Sequence, residues 1–225
     1  MINRSTEDYL KGIYTLQEEN QSVATSVLAK HLKIGDGSVT DMVKKLSDRN
    51  LINYAPYQGV TLTPDGRRLA LKMVRRHRLW EMFLVKFLNY SWDEIHDEAE
   101  RLEHVTSDDL EERIDKALGH PKVDPHGSPI PSVSGELVEI AGKNLAECVT
   151  GERGIIVRVK DESHELLRLM TNLGLGLNTE ILVKQKLEFD GTIVIAFEDR
   201  ESSREIVREI PLSPMFAQSI FIQTR

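Results

Sequence analysis

The run Thr25-Ser-Val-Leu-Ala-Lys-His-Leu-Lys-Ile-Gly-Asp-Gly-Ser-Val-Thr-Asp-Met-Val-Lys-Lys-Leu46 decides the fold. Val27, Leu28 and Leu32 fall at helical spacing, and so do Val39, Met42, Val43 and Leu46. Between the two stripes, Ile34-Gly-Asp-Gly37 is made of turn residues, and Ser38 is expected to cap or open the second helix. A helix precedes this pair: Ser5-Thr-Glu-Asp8 reads as a capping-box start, followed by Tyr9, Leu10, Ile13, Tyr14 and Leu16. Two short strand-like pieces follow it, Leu51–Tyr54 and Val60–Leu62, around a Gln58-Gly59 turn. Helix, helix, turn, helix and ribbon make a winged helix-turn-helix.

In that architecture the second helix of the motif enters a DNA major groove. Its outward face is Ser38, Thr40, Asp41, Lys44 and Lys45. Lys30, Lys33, Arg67 and Arg68 are placed to meet phosphates, with Tyr54 and Tyr57 near the wing. Winged helices also bind protein, so charge must help decide. Residues 1–78 carry 13 Lys and Arg against 8 Asp and Glu, whereas residues 79–140 carry 5 against 15. A basic front and an acidic middle point to a polyanion for the first and cations for the second.

Thr63-Pro64 opens a long helix, with proline at its first position, that runs to about Tyr90. Further helices are expected over about 93–105 and from the Ser107 cap to Leu118. Trp80, Phe83, Phe87 and Trp92 exceed what three short helices bury alone, which suggests either a dimer interface or an internal core. Gly119 to Gly135 holds Pro121, Pro125, Pro129 and Pro131 and reads as a linker or irregular connection. Beyond it, strands are expected at Ile155–Val159, Glu180–Lys186, Thr192–Phe197 and Phe216–Gln223, with a helix at His164–Asn172. The fold class expected is multidomain and mainly α. Residues 1–73 form the winged helix-turn-helix, 74–140 a helical metal-binding and dimerisation domain, and 150–225 a small SH3-like β-barrel.

The acidic middle carries the chemistry. His77 and Glu81 are four apart on one helix, and His96, Glu100, Glu103 and His104 share a face of another. Carboxylates at that density repel one another unless a cation joins them. Asp8 has a plainer reading, an acid near a helix N-terminus that favours the dipole. No apolar run approaches the roughly eighteen residues of a membrane span, and the N-terminus lacks a secretory stretch. Cys148 is the single cysteine, so a reducing cytoplasm is the expected home. A carboxylate-bridged di-metal enzyme would need Glu-x-x-His on each of two helices. Here Glu100-x-x-Glu103-His104 occurs once, so no enzyme and no small-molecule substrate are expected. A metal-independent repressor that binds protein through its last domain is a third reading.

Several of these runs resemble the diphtheria-toxin-repressor family of metalloregulators. They are Glu7–Tyr14, Ser38–Leu46, Leu62-Thr-Pro-Asp-Gly66, Arg76-His-Arg78 with Glu81, His96–His104 and the proline pattern Pro125–Pro131. The C-terminal segment is similar to the family's FeoA-type module. The resemblance implies a primary metal site of Asp8, Glu100, Glu103 and His104, lifting Asp8 above a capping role. It also implies an ancillary site of His77, Glu81 and His96, completed from the last domain by Asp161, with Glu162, His164 and Glu165 as competitors. Iron-responsive members carry methionine and cysteine where this chain has Asp8 and Glu100. Hard oxygen ligands suit Mn²⁺, so the resemblance is to the manganese-responsive branch of the streptococcal type, with Fe²⁺, Zn²⁺ or Cd²⁺ able to enter the same sites and an iron-responsive repressor as the alternative. Bacillary manganese regulators have a glutamate where Lys11 stands, so two separated sites are expected here, not a bridged pair. The function implied is metal-dependent repression of ion-uptake genes by a homodimer on double-stranded operator DNA.

Overall fold

In a computed structural model the described residues are 3–18, 21–55, 58–138, 141–160, 163–198 and 207–224. They form two compact units. Unit 1 comprises residues 1–80, 99–120 and 130–137, and unit 2 comprises 81–98, 121–129 and 138–225.

Unit 1 begins with α1 (Arg4–Gln17). Its cap is Asn3, whose side chain accepts the Thr6 N–H, and not the expected Ser5; Asp8 therefore lies past the first turn and has no capping role. The helices α2 (Thr25–Leu32) and α3 (Asp36–Asp48) follow. α3 starts two residues earlier than expected, because Gly35 takes the extended cap conformation and Asp36 supplies the first-turn acid. Lys33 closes α2 in the left-handed region at φ 55°. Ser38 thus sits inside α3, while Val39, Val43 and Leu46 form its buried stripe. The wing is an antiparallel ribbon of β1 (Ile52–Ala55) and β2 (Gly59–Leu62), with Ile52 opposite Leu62 and Tyr54 opposite Val60.

A shared core of Tyr9, Leu10, Ile13, Leu28, Val43, Leu46 and Val60 joins helices and ribbon. Truncating one of its leucines or isoleucines to alanine costs about 2–5 kcal/mol. The long helix α4 (Pro64–Leu88) starts against the wing's base. Thr63 Oγ1 accepts the Gly66 N–H at 3.1 Å and donates to the Asn50 carbonyl at 2.8 Å. Gly66 is required there, since a Cβ would stand 1.9 Å from the Leu51 carbonyl oxygen. Next come α5 (His96–Glu103) and α6 (Asp108–Leu118). α6 has its expected cap, with Ser107 accepting the Leu110 N–H, and ends at left-handed Gly119. α4 and α6 are joined by a buried ion network. Arg75 Nε and Arg76 Nε donate to the two oxygens of Glu111 at 2.8 and 2.9 Å, and Arg75 also reaches the Pro131 carbonyl.

Unit 2 is dominated by an antiparallel sheet. Its strands are β3 (Lys143–Asn144), β4 (Arg153–Val159), β5 (Glu180–Lys186), β6 (Ile193–Glu198), β7 (Val207–Leu212) and β8 (Ile220–Thr224), in spatial order β3-β8-β4-β5-β6-β7. α7 (His164–Leu173) follows β4 and ends at left-handed Gly174. Ile156, Val159, Met170, Val183, Ile195, Ile220 and Ile222 fill its core. The expected strand from Phe216 is corrected: Ser213 caps a short helix α8 (Pro214–Ala217), which turns the chain into β8. The sequence does not predict β7; its Val207-Arg-Glu-Ile-Pro-Leu212 sets two charged residues side by side and contains a proline, and it lies at the sheet's edge, where such a residue is tolerated.

The Gly119–Gly135 stretch is not a solvated linker. Asp124, His126 and Ser128 are buried, and Asp124 Oδ1 accepts the N–H groups of His126 and Ser128 at 2.8 and 2.9 Å. The four prolines punctuate an ordered, hydrogen-bonded loop.

Candidate metal centres

In unit 1, Asp8 on α1 meets the end of α5. His104, one residue beyond α5, presents Nδ1 to Glu7 Oε2 at 2.8 Å and Nε2 to Asp8 Oδ1 at 2.9 Å. Glu7 thereby sets the ring's orientation: an Nδ1–H donated to Glu7 leaves the Nε2 lone pair facing a carboxylate oxygen. Asp8 Oδ1 and His104 Nε2 are both buried and neither makes a hydrogen bond among the described residues. Two lone-pair-bearing atoms at that distance call for a cation between or beside them. Ligand atoms of Asp8, Glu100 and His104 all lie within 4.8 Å of one another, which fits a divalent ion. Burial raises the Asp8 carboxyl above its ordinary pKa, with His104 opposing and Glu100 adding to the rise.

Glu103 is 0 % exposed, and its Oε1 lies 3.7 Å from His104 Nε2. Lys11 Nζ approaches its two oxygens at 2.9 and 2.7 Å, Glu100 Oε2 at 2.6 Å and His77 Nδ1 at 3.0 Å. His77 Nδ1 is also 2.5 Å from Glu103 Oε2. Burial pulls the Lys11 ammonium's pKa down, but Glu103 and Glu100 outweigh it and hold the pKa above the usual lysine value. Lys11 is therefore charged.

Unit 2 holds a second group. Glu81 on α4, with Asp124 and His126 of the proline-rich loop, are respectively 0 %, 2 % and 1 % exposed, and their ligand atoms lie within 4.8 Å of one another. His126 Nε2 donates to the Trp92 carbonyl at 2.9 Å, which places the lone pair on Nδ1, 3.9 Å from Glu81 Oε2. Trp92 stacks on the imidazole at 5.7 Å. The loop is pinned from behind, with Val159 N–H donating to the His126 carbonyl at 2.8 Å. Gly127, at φ +86°, must be glycine because a Cβ would stand 2.0 Å from the Val157 carbonyl oxygen. His96 Nδ1 lies 3.8 Å from Glu81 Oε1. Burying two carboxylates and an imidazole so close together is costly without a cation to offset them, so this group too fits a divalent ion.

The structure places Asp8, Glu100, Glu103 and His104 near one another, and Glu81 near His96 in a second place. His77 faces Lys11 and Glu103 within unit 1. Asp161 and Glu162 lie outside the described residues. Asp124 and His126 were missed by sequence reasoning. Their signal is weak, a single Asp-x-His inside a stretch whose prolines and glycines read as connection. Cys148 belongs to neither group; it is buried in the sheet core, where desolvation pushes its thiol up to about 11.

On the outward face of α3, Ser38, Asp41, Lys44 and Lys45 are exposed, as is Lys30 of α2. Thr40 is half-buried, its hydroxyl donating to the Asp36 carbonyl at 3.0 Å. Arg67 stacks over Tyr14 at 5.2 Å, and Arg68 pairs with Asp65. Tyr57 lies outside the described residues.

A winged helix carrying oxygen- and nitrogen-lined cation sites defines a class, the metal-dependent transcriptional repressors. Three family patterns match along the chain: "Iron dependent repressor, N-terminal DNA binding domain" over residues 1–60, "Iron dependent repressor, metal binding and dimerisation domain" over 63–132, and "FeoA domain" over 143–223. The chain belongs to the iron-dependent repressor family, that of the diphtheria toxin repressor. Among its relatives, the iron-dependent repressor IdeR of Mycobacterium tuberculosis is 33% identical over 180 residues, covering 70% of this chain and 78% of that one. A solved manganese-dependent transcriptional repressor in complex with manganese is 38% identical, with a TM-score of 0.90, and covers 98% of this chain and 100% of its own. The structure of ScaR with bound Cd²⁺ is 34% identical, with a TM-score of 0.82, covering 97% and 98%.

Proposed function

We propose that this repressor responds to manganese, and that it binds operator DNA as a metal-loaded homodimer to control ion uptake in the cytoplasm. The observation that carries the reading is the first cluster, where α1 of the winged helix and the end of α5 each supply part of one ligand set. A bound divalent ion supplies the positive charge that Asp8, Glu100 and Glu103 lack. Asp8 and His104 hold α1 against α5, and so determine the orientation in which a dimer presents its two α3 helices to half-sites. Metal shifts the equilibrium only to the extent that it prefers that arrangement over others.

The choice of manganese over iron is supported by the donor set. Neither cluster contains sulfur, and hard oxygen donors suit Mn²⁺ better than later metals. The solved manganese-dependent repressors similar to this chain favour the same choice. Primary-site roles are assigned to Asp8, Glu100 and His104, with Glu103 in the same carboxylate group. The second site is assigned to Glu81, Asp124 and His126, with His96 beside it. Exposed Lys30, Lys44 and Lys45 meet phosphates while Ser38 and Asp41 face base edges. The working modules are residues 1–73 for DNA, 74–140 for metal and dimerisation, and 150–225 as the FeoA-type domain. Nothing in either cluster provides a nucleophile with its base, so we assign no enzymatic activity and no small-molecule substrate. No described helix is long and apolar enough to cross a membrane.

The test is to select an operator from a random DNA pool in the presence of Mn²⁺, then titrate it across free Mn²⁺, Fe²⁺ and Zn²⁺. Manganese is expected to tighten binding at the lowest free concentration relative to its cellular range. Equal affinity in metal and in chelator would end the metal-dependent reading, and activation by Fe²⁺ alone would end the manganese one.

A further inference from the structure

The residue of α3 opposite its buried stripe is an acid. We propose that Asp41 sets the operator's sequence at one position of each half-site, by accepting a hydrogen bond from the N4 amino group of a cytosine. Gly37 lets the helix come close enough for so short a side chain to reach. This rests on the reading of α3 as a DNA-recognition helix.

At about 100° per residue, Asp41 lies about 160° around the helix axis from both Val39 and Val43, which are buried. Ser38 and Lys44 flank it at about 60° on either side, and all three are exposed. Base edges are met by the N-terminal residues of a recognition helix, and Asp41 stands in the second turn of α3. Asp48 shares the face but belongs to the far end of the helix. Lys44 and Lys45 follow Asp41 at the spacing of helical ion pairs, yet Asp41 makes no ion pair or hydrogen bond among the described residues. A carboxylate aimed at a polyanion weakens every complex in which it finds no donor. Asp41 therefore serves selection and not affinity. In the major groove guanine shows two acceptors, and thymine an acceptor and a methyl group, so both repel a carboxylate. Adenine offers its N6 amino group beside the N7 acceptor, whereas the N4 amino group of cytosine has no acceptor next to it on the same base. Cytosine is thus the base that an acceptor-only side chain prefers.

Gly37 lies about 40° from Asp41, one turn toward the N-terminus. Its backbone is not left-handed, and a Cβ there would meet nothing within 4 Å. Neither backbone nor packing calls for a glycine, which destabilises a helix relative to alanine. What the bare Cα provides is room outside the protein, on the face that carries Asp41.

The test selects operators from a random DNA pool with the full-length chain, in parallel with Mn²⁺ and with Fe²⁺, and repeats the selection with Asp41→Asn and Asp41→Ala. The unaltered chain should enrich a cytosine at one position of each half-site. Asp41→Asn should enrich adenine there, because an amide pairs with both N6 and N7 of adenine. Asp41→Ala should lose the preference at that position alone and bind random-sequence DNA more tightly. Replacing that cytosine in the selected operator should weaken binding by the unaltered chain about tenfold or more, and leave Asp41→Ala unaffected. Gly37→Leu should melt no lower than the unaltered chain, yet bind the operator about tenfold more weakly, the worth of the base contact it holds off. A cytosine retained by Asp41→Asn or Asp41→Ala would overturn the proposal. So would an operator with no fixed cytosine in its half-sites, or full operator affinity in Gly37→Leu. No enrichment by the unaltered chain in either metal is a different failure: it would overturn the reading of α3 as a recognition helix, and the proposal with it.

Discussion

The two candidate metal centres are built from similar donors by opposite means. The first is positioned by helices: Glu100 and Glu103 project from α5, Asp8 from α1, and His104 follows α5 directly. The second hangs on a loop, with Asp124 and His126 held by the loop's own N–H groups and by β4 behind it. A helix places its ligands by periodicity, so the cost of the arrangement is spread over a whole element. A loop must be fixed bond by bond. The first centre should therefore be sensitive to its ligands and tolerant of its scaffold, and the second the reverse.

The largest expected effect is on the first centre's ligands. His104→Ala should weaken metal-dependent operator binding by on the order of 100-fold or more, since even indirect supports of metal ligands are worth about 10–100-fold. The ion held at Glu81, Asp124 and His126 should remain in the same protein, as counted by dialysis. Gly127→Ala tests the loop. The left-handed backbone and the approach to the Val157 carbonyl should cost about 2 kcal/mol or more in thermal unfolding, and one ion should be lost from the second centre only. If that variant keeps both ions, the contrast between helix-built and loop-built sites fails. Glu7→Gln keeps the hydrogen bond to His104 but weakens it, and should reduce first-centre affinity about tenfold in a Mn²⁺ titration. Smallest is Asn3→Ala, which removes the α1 cap and should cost about 1 kcal/mol of stability. Its effect on metal affinity should be slight, and a large one would show that α1 is less securely placed by its core than its packing implies.

The same contrast explains what could be read from the sequence. Helical ligands announce themselves, because His96, Glu100, Glu103 and His104 recur at the period of the element that carries them. The winged helix was legible for the same reason, in the stripe Val39, Val43 and Leu46. Starts were less so. Ser5 and Ser38 are good capping residues, yet Asn3 takes the first place by accepting the Thr6 N–H, and Gly35 takes the second in an extended cap conformation. Position along α4 could not reveal that His77 faces Lys11 and Glu103. Asp124 and His126 had no periodicity to carry them. Asp8 looked like a cap until resemblance, and then geometry, gave it a partner.

Glu111 has one consequence beyond stability. It grips Arg75 and Arg76, neighbours that leave a helix about 100° apart around its axis. A single carboxylate that bridges both works as a key in a keyway, because any roll of α4 would tear one guanidinium away while pressing the other in. His77 is the very next residue. Its bearing toward Lys11 and Glu103 is thus indexed by a carboxylate on α6 that touches neither, and the first centre inherits its azimuth from there.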